Sequence, residues 1–391
     1  MSLSWHRAAY SILRVLVGPF LNHKLNYSCE KVRPKSNPYI VLANHNTDYD
    51  PFLVGLAFPD QIYYVASEHI FRWGLISSLI KFIVAPIPRL KATTEIHTVM
   101  EILRKLRAGA NVCLFAEGNR SFSGETGQIH PSTGKLIKKS GVSLITFRLH
   151  GGYFTSPRWS KGLRRGKMTG RMVREYTPDE LKKMTSEEIT KAIERDLYVN
   201  AYEEQKEECI PYTGKNLAHN LETALYRCPE CNKIDSLKSE GDRFYCSCGL
   251  DLTYNEYGFF TSNTEKEPVF MTVLDWVRWQ EAVLAKEIEG IKSLSPDNVI
   301  YSDKDQTLWN AAKEKNILVG KGTLLLYNDR LVFDSGEEKY TFGINDLSSL
   351  EIIGQRVIAF ATNDRQAYEI KSDWPRSALK YRDIFNYLKT K

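Results

Sequence analysis

A histidine and an aspartate stand five residues apart in the polar segment Asn44-His45-Asn46-Thr47-Asp48-Tyr49-Asp50. This spacing lets the carboxylate of Asp50 hydrogen-bond one ring nitrogen of His45 and leaves the other nitrogen for a substrate hydroxyl. Such a pair acts as a general base with its orienting partner. In the alternative interpretation Asp50 only caps a helix that begins at Pro51, and His45 is a turn residue.

A second polar turn, Glu117-Gly118-Asn119-Arg120-Ser121, follows an apolar run at residues 111–116. It combines an acid, a flexible glycine and an arginine, and arginine suits phosphate recognition. Between the two turns, the apolar residues 82–88 end at another arginine, Arg89. The arginine of the second turn therefore indicates a site that could bind a phosphate group.

The elements that must position these turns alternate along the chain. Short β-rich runs, typical of strands, span residues 39–43, 61–66, 111–116 and 142–149. Helical apolar spacing covers residues 51–58, 68–82, 95–108 and 134–140. The alternation predicts an α/β fold, a layered and mostly parallel sheet with helices. Polar loops at the carboxyl ends of such strands are where ligands and catalysis collect.

In their order and spacing, the three segments resemble the lysophosphatidic acid acyltransferase family, glycerolipid acyltransferases marked by Asn-His-x4-Asp and Phe-Pro-Glu-Gly-Thr-Arg-Ser blocks. The resemblance covers roughly residues 1–215. It implies that His45 and Asp50 are the catalytic dyad. It also implies that acceptor binding falls to Arg89, Glu117, Gly118, Arg120 and Ser121.

The same resemblance implies an acyl thioester donor, either acyl-CoA or acyl-carrier protein, and a lysophospholipid acceptor, foremost lysophosphatidic acid. This chain departs from the family pattern at Ala116 and Asn119, where proline and threonine are usual. The strand predicted at residues 142–149 also lacks the family's downstream proline and continues into Gly151-Gly152. These changes alter turns but keep the charged groups.

Four of the seven cysteines fall within 21 residues, as Cys228-Pro229-Glu230-Cys231 and Cys246-Ser247-Cys248-Gly249. Two close pairs of thiolates suit a tetrahedral zinc ion, and four cysteine ligands make the site structural. The pattern resembles a zinc ribbon, with one residue instead of two inside the second pair. Free reduced thiols are the alternative.

The organisation predicted from these patterns has four parts: an acyltransferase domain at residues 1–215, a zinc ribbon at 222–262, a connecting helix at 270–295 and a β domain at 296–391. Strands are predicted there at residues 323–327, 331–333, 339–342, 357–361 and 366–371, followed by a helix at 377–388. An antiparallel β unit closed by one helix resembles the pleckstrin-homology-like architecture. We expect the connecting helix to act as a spacer.

A net charge of +6 over 391 residues is too mild for a dedicated nucleic-acid protein, and no nucleic-acid partner is expected. Charge is nevertheless concentrated between Arg148 and Arg174, where eight Lys or Arg residues occur without an Asp or Glu. This segment either meets an anionic surface or forms a solvated basic face.

Two apolar stretches with basic flanks, residues 8–22 and 71–83, have the composition of membrane-edge elements. The first could instead pack against the domain. Neither stretch is long and apolar enough to span a bilayer, and no secretory signal is recognised. We therefore expect a cytoplasmic protein bound peripherally to the anionic cytosolic face of a membrane. The alternative function is a catalytically inactive zinc-ribbon adaptor that binds lipid or a partner.

Overall fold

The computed structural model describes residues 3–67, 85–89, 96–311, 316–364 and 366–389. The chain divides into two compact units. The first comprises residues 1–158 and 162–214, and the second comprises residues 159–161 and 215–391.

The first unit is built on a mixed sheet with the order β1-β7-β6-β2-β5-β3-β4 among the described residues. Its strands are β1 (Tyr27–Cys29), β2 (Tyr39–Ala43), β3 (Ile62–Ser67), β4 (Ile87–Arg89), β5 (Asn111–Phe115), β6 (Ser143–His150) and β7 (Met168–Tyr176). Strands β6, β2, β5, β3 and β4 pair in parallel, whereas β7 is antiparallel to β6. The mostly parallel sheet predicted from the sequence is confirmed.

Strand β2 lies at the centre of this sheet, and all five of its residues are buried. A continuous apolar run is typical of a parallel strand covered on both faces. Tyr39, Val41 and Ala43 join one hydrophobic core, and Ile40 and Leu42 join the other. The loop that follows β2 is therefore anchored to the buried centre of the sheet.

The helices of the first unit are Leu3–Leu25, Asp50–Ala57, Ile96–Arg107, Ser132–Ser140, Gly152–Thr155, Pro178–Lys183, Ser186–Leu197 and Ala201–Glu208. The helix Ser186–Leu197 begins with a reciprocal capping box, in which Thr185 Oγ1 accepts from the Glu188 N–H and the Glu188 carboxylate accepts from the Thr185 N–H. The helix predicted at residues 68–82 and the apolar stretch at 71–83 lie outside the described residues.

The N-terminal helix Leu3–Leu25 has two different faces. On one face the Tyr10 hydroxyl donates to the Gly55 carbonyl at 2.5 Å, and Arg14 donates to the Phe58 carbonyl at 2.6 Å. The other face exposes the large apolar side chains Ile12, Val15, Leu16 and Phe20. Packing against the domain and an outward apolar stripe therefore occur together. None of the described helices combines the length and the hydropathy needed to cross a bilayer.

The basic segment between Arg148 and Arg174 is not a uniform surface, which corrects the expectation of a single basic face there. Arg158 and Arg164 are buried. Arg158 donates to the Arg120 carbonyl at 2.7 Å and its guanidinium covers the Phe122 ring. Arginine is accepted in such places because its guanidinium stacks on aromatic rings and donates to carbonyls.

The second unit contains two antiparallel sheets. A four-stranded sheet has the order β11-β10-β9-β8, and a seven-stranded sheet has the order β15-β14-β13-β12-β18-β17-β16, both within the described residues. The first is formed by β8 (Leu237–Glu240), β9 (Arg243–Cys246), β10 (Asp251–Tyr254) and β11 (Phe260–Ser262). The second is formed by β12 (Tyr301–Asn310), β13 (Ile317–Leu326), β14 (Arg330–Asp334), β15 (Lys339–Gly343), β16 (Leu347–Ile353), β17 (Val357–Thr362) and β18 (Ala367–Ser372).

Two helices complete the second unit, Val273–Lys292 and Leu379–Lys389. The first packs into the unit and is not a spacer. Its Trp276 is fully buried against the rings of Phe244 and Phe260 and donates its indole N–H to the Arg227 carbonyl at 2.9 Å. A buried tryptophan with a satisfied N–H fixes a helix in place.

A buried charge network joins three parts of the second unit. The ammonium group of Lys380 is paired with the carboxylates of Asp235 and Asp303, and its distance to Asp303 is 3.0 Å. The Tyr381 hydroxyl donates to Asp303 at 2.6 Å. A buried lysine is tolerated because it is paired and hydrogen-bonded. The network links β12, the loop before β8 and the C-terminal helix.

Candidate active site

The dyad predicted from the sequence is assembled at the carboxyl end of β2. His45 Nδ1 lies 2.9 Å from Asp50 Oδ2, with the Asp50 side chain fully buried and the His45 side chain 20% exposed. Asp50 opens the helix Asp50–Ala57, so the loop between strand and helix fixes the separation of the two groups.

The carboxylate of Asp50 is saturated by the loop that carries His45. Its Oδ2 accepts from the N–H groups of Asn46 at 2.6 Å and Thr47 at 2.8 Å, and its Oδ1 accepts from the Thr47 hydroxyl at 2.6 Å. A carboxylate that accepts from all these groups also accepts from His45. Nδ1 of the His45 ring therefore carries a hydrogen, and Nε2 is the nitrogen left to take a proton from a substrate. Asp50 thus orients His45, and no side-chain bond caps the helix that follows.

The ring of His45 is also held by stacking. It lies on the Phe115 ring, with the centroids 4.3 Å apart and the planes 22° from parallel. Phe115 ends β5, the neighbour of β2 in the sheet. The base is therefore fixed from two sides, by the Asp50 carboxylate and by an aromatic face.

Glu117 binds the main chain of the dyad loop. Its Oε1 accepts from the His45 N–H at 2.7 Å, and its Oε2 accepts from the Gly127 N–H at 2.7 Å. Burial raises the pKa of Glu117 to about 8, while these two backbone donors oppose the shift. The residue expected to bind substrate serves in this structure as a clamp on the backbone of the base.

Arg120 reaches the same loop from the other side. Its Nε donates to the Asn46 carbonyl at 2.8 Å, and one terminal nitrogen donates to the Ser156 carbonyl at 2.6 Å. The other terminal nitrogen lies 2.9 Å from a carboxylate oxygen of Asp48. The guanidinium is thus held beside the dyad loop, with Asp48 where an anionic ligand could bind.

Gly118 and Ser121 shape the turn between Glu117 and Arg120. Gly118 has a φ of +72°, in the left-handed region that favours glycine, and its N–H donates to the Phe115 carbonyl. The Ser121 hydroxyl donates to the Glu125 carbonyl at 2.7 Å and accepts from the Gly124 N–H at 2.9 Å. Both residues therefore set the path of the loop.

The structure brings His45, Asp50, Glu117 and Arg120 together around one loop. The backbone of Arg89 forms the carboxyl end of β4, at the edge of the described sheet. The side chain of Arg89 lies outside the described residues, so its predicted contact with substrate stays a prediction.

Two further residues position the dyad loop and were not predicted. The side-chain amide of Asn44 donates to the Leu149 carbonyl and accepts from the Leu149 N–H, both at 2.8 Å. It thereby extends the pairing of β2 with β6 beyond the last paired residues. Gly152 allows a close approach, since an added Cβ would lie 2.8 Å from the Asn46 Cβ. In the sequence, the adjacent glycines Gly151 and Gly152 after β6 could have indicated this close approach.

The four predicted zinc ligands, Cys228, Cys231, Cys246 and Cys248, lie in the second unit with their sulfur atoms within 4.8 Å of one another. The Cys228–Cys248 and Cys231–Cys246 sulfur distances are 3.7 and 3.8 Å. A tetrahedron with Zn–S bonds of about 2.3 Å has edges of about 3.8 Å. The donor set fits a tetrahedral metal such as zinc.

Comparison with known proteins agrees with this geometry. Residues 24–150 match the family model described as Acyltransferase, a range that contains His45, Asp50, Glu117 and Arg120. The first unit thus carries an acyltransferase-like domain.

Among curated proteins, the chain is 24% identical over 151 residues to the chloroplastic 1-acyl-sn-glycerol-3-phosphate acyltransferase LPAT1 of Arabidopsis thaliana. The match covers 38% of this chain and 42% of the length of that relative. Among solved structures, the LPA acyltransferase PlsC of Thermotoga maritima aligns with a TM-score of 0.42 and 21% identity, over 48% of this chain and 76% of that one. A C-terminal domain of an unknown Leishmania infantum protein aligns with a TM-score of 0.20 and 13% identity, over 28% of this chain and 99% of that one.

Proposed function

We propose that the protein transfers a fatty acyl group from a thioester donor to the hydroxyl of a lysophospholipid, foremost lysophosphatidic acid to give phosphatidic acid. The observation that carries the proposal is the 2.9 Å contact between His45 Nδ1 and the buried Asp50 carboxylate, inside the acyltransferase-like range. The donor is acyl-CoA or acyl-carrier protein, since both present the same thioester.

In the proposed reaction, Nε2 of His45 takes the proton of the acceptor hydroxyl as its oxygen attacks the thioester carbonyl. Asp50 stabilises the imidazolium that forms. The C–S bond then breaks, the proton passes from His45 to the departing sulfur, and the products are an ester and a free thiol. General-base assistance of this kind contributes roughly 10²- to 10⁴-fold to the rate.

Arginine side chains are proposed to bind the phosphate group of the acceptor. Arg120 is held next to the dyad loop by two backbone carbonyls, and its remaining terminal nitrogen contacts the exposed carboxylate of Asp48. Arg89 is proposed as a second phosphate contact. Glu117, Gly118 and Ser121 are proposed to form the wall of the acceptor site through the loop that they shape.

We further propose that the enzyme acts on the cytosolic face of an anionic membrane. The exposed stripe Ile12, Val15, Leu16 and Phe20 lies on a helix that ends with His23 and Lys24. Apolar side chains on one helix face with basic neighbours favour binding at a lipid–water interface. Substrate and product would then stay in the bilayer.

A structural zinc ion is proposed for Cys228, Cys231, Cys246 and Cys248. The seven-stranded sheet with its C-terminal helix is proposed as a pleckstrin-homology-like unit. Its strand order and single closing helix support this comparison. The second unit would then bind lipid or a partner and position the enzyme.

The test is acylation of a lysophospholipid panel in detergent, with acyl-CoA and acyl-carrier protein offered separately. Acylated lipid and released thiol are both followed for the wild type, His45→Ala and the matched control His130→Ala. His130 is an exposed histidine whose ring contacts Ser132. We expect the control to keep the wild-type rate and His45→Ala to lose about 10²- to 10⁴-fold.

Release of thiol and formation of acylated lipid in equal amounts supports transfer of the acyl group to the lipid and not to water. Wild-type rates in His45→Ala would contradict the general-base role. If no acceptor reacts with either donor in the wild type, the proposed activity is wrong.

A further inference from the structure

Asp48 lies inside the dyad loop, between His45 and Asp50, and does not belong to the dyad. Its carboxylate lies 2.9 Å from a terminal nitrogen of Arg120. The Asp48 side chain is 80% exposed, whereas that of Arg120 is only 13% exposed. The two partners are therefore held very differently.

Arg120 does not depend on Asp48 for its position. Two of its nitrogens donate to the main-chain carbonyls of Asn46 and Ser156, at 2.8 and 2.6 Å. Within the described parts of the chain, the exposed carboxylate of Asp48 is held by its contact with Arg120 alone. An exposed ion pair of this type contributes little to stability, about 0–1 kcal/mol. A stronger anion can displace Asp48 and leave Arg120 in place.

The same nitrogen suits a phosphate oxygen, because arginine binds carboxylate and phosphate with the same donors. Once a phosphate takes this position, the carboxylate of Asp48 remains in the neighbourhood. A phosphate monoester carries roughly −1.5 to −2 charges at neutral pH and is repelled by that carboxylate. A phosphodiester with an ammonium group carries a positive charge close to its phosphate, and the carboxylate of Asp48 attracts that charge.

We propose that Asp48 is a specificity-determining residue that extends the acceptor range from phosphate monoesters to zwitterionic lysophospholipid headgroups. The phosphate of the headgroup binds Arg120, and its ammonium group pairs with the released Asp48. The inference rests on the proposed function and deepens it, since it adds lysophospholipids with an amine headgroup to the acceptor range.

The test compares the wild type with Asp48→Asn, and uses Asp179→Asn as matched control. Asp179 is likewise a carboxylate in an exposed ion pair, 3.1 Å from Lys182 and 85% exposed. The probes are lysophosphatidic acid and lysophosphatidylethanolamine with the same acyl chain in neutral detergent. Both equilibrium binding and kcat/KM are measured for each lipid.

We expect Asp48→Asn to shift the ratio of the two affinities, and of the two kcat/KM values, about tenfold toward lysophosphatidic acid. The control should keep the wild-type ratios. Because the effect is electrostatic at an exposed site, it should shrink markedly in about 1 M salt. A shape effect of the side chain would persist in salt.

Unchanged binding ratios in Asp48→Asn would overturn the inference, whether or not acyl transfer is detected. A shift that survives high salt would also overturn it. If binding shifts as expected but neither lipid is acylated by the wild type, the inference stands and the proposed function fails. The binding measurement therefore separates failure of this inference from failure of the proposed function.

Discussion

The dyad loop and the cysteine cluster differ in where their supports come from. All four cysteines lie between residues 228 and 248, so two short turns bring the sulfur atoms together. The dyad loop is held by residues far away in the chain, since Glu117 and Arg120 contact it across 72 and 74 residues. The first site depends on local geometry, and the second depends on the whole sheet.

The largest effect is expected from metal removal. Cys231→Ser, or extraction of the metal by a strong chelator, should destabilise the second unit by several kcal/mol, because a structural zinc site contributes its binding free energy to folding. Scanning calorimetry should show an unfolding transition of the second unit at lower temperature, with the transition of the first unit retained. Such separate transitions would show that the cysteine cluster supports the unit in which it lies, whereas the dyad loop depends on the sheet of the first unit.

The matched control is Cys209→Ser, which changes an exposed cysteine outside the cluster. It should leave both transitions and the metal content unchanged. Metal analysis that finds far less than one zinc per chain in protein purified without chelator would contradict the zinc assignment.

The next prediction separates two roles of Asp50, which orients the ring of His45 and also binds the backbone of the dyad loop. Asp50→Ala and His45→Ala should both slow acyl transfer by about 10²- to 10⁴-fold. Asp50→Ala should also lower the free energy of unfolding by about 1–3 kcal/mol, because the two backbone N–H groups that donate to Asp50 would lose their acceptor. Denaturant unfolding beside the rate assay measures both, and equal stability of the two variants would disprove the supporting role of Asp50.

A smaller, pH-dependent effect is expected at Glu117. Its pKa is raised from 4.5 to about 8, so between these pH values the folded chain keeps a proton that the unfolded chain releases. This contribution to stability is full at low pH and is lost as the pH rises toward 8. In Glu117→Gln the group cannot titrate, and the stability advantage of the wild type should narrow over that pH range.

Unfolding free energies at a series of pH values test this, with Glu208→Gln as control for an exposed carboxylate paired with Lys167. A wild-type advantage over Glu117→Gln that is constant from pH 5 to 8 would show that Glu117 does not titrate there. The range follows from the pKa of about 8.

The smallest effect is expected at Tyr10, which supports the helix that carries Asp50. Tyr10→Phe removes the hydrogen bond to the Gly55 carbonyl and should cost about 0.5–1.5 kcal/mol of stability. Denaturant unfolding measures it, with the exposed Tyr257→Phe as control. A cost as small as that of the control would mean that the hydrogen bond from Tyr10 does not stabilise the helix Asp50–Ala57.

The sequence predicts the parts of both sites that lie close together in the chain. The five-residue spacing of His45 and Asp50 is enough to indicate their contact, and the cysteine spacing indicates all four ligands. Sequence does not indicate that Glu117 binds the N–H of His45, because nothing in the chain marks a contact across 72 residues. The partners of a buried carboxyl are decided by the packing of the sheet.

The same limit applies to the strands. The boundaries of β2 agree with the prediction at both ends, since a continuous apolar run between turn residues is unambiguous. Strand β12 was missed because a bulge between Asp303 and Gln306 interrupts its two-residue alternation. Asp305 there has a φ of +58°. Its polar sequence, Tyr-Ser-Asp-Lys-Asp-Gln, does not resemble a strand.

The buried Lys380 has a consequence for the order in which the chain matures. Its partners Asp235 and Asp303 are synthesised 145 and 77 residues earlier, and the buried carboxylate of Asp303 meets its two buried cations only when Arg376 and Lys380 have emerged. A nascent chain that stops before residue 376 would hold the carboxylate of Asp303 without either of these cations. Folding of this unit therefore waits for the synthesis of residues 376–380, and chains truncated before these residues should be targets for proteolysis.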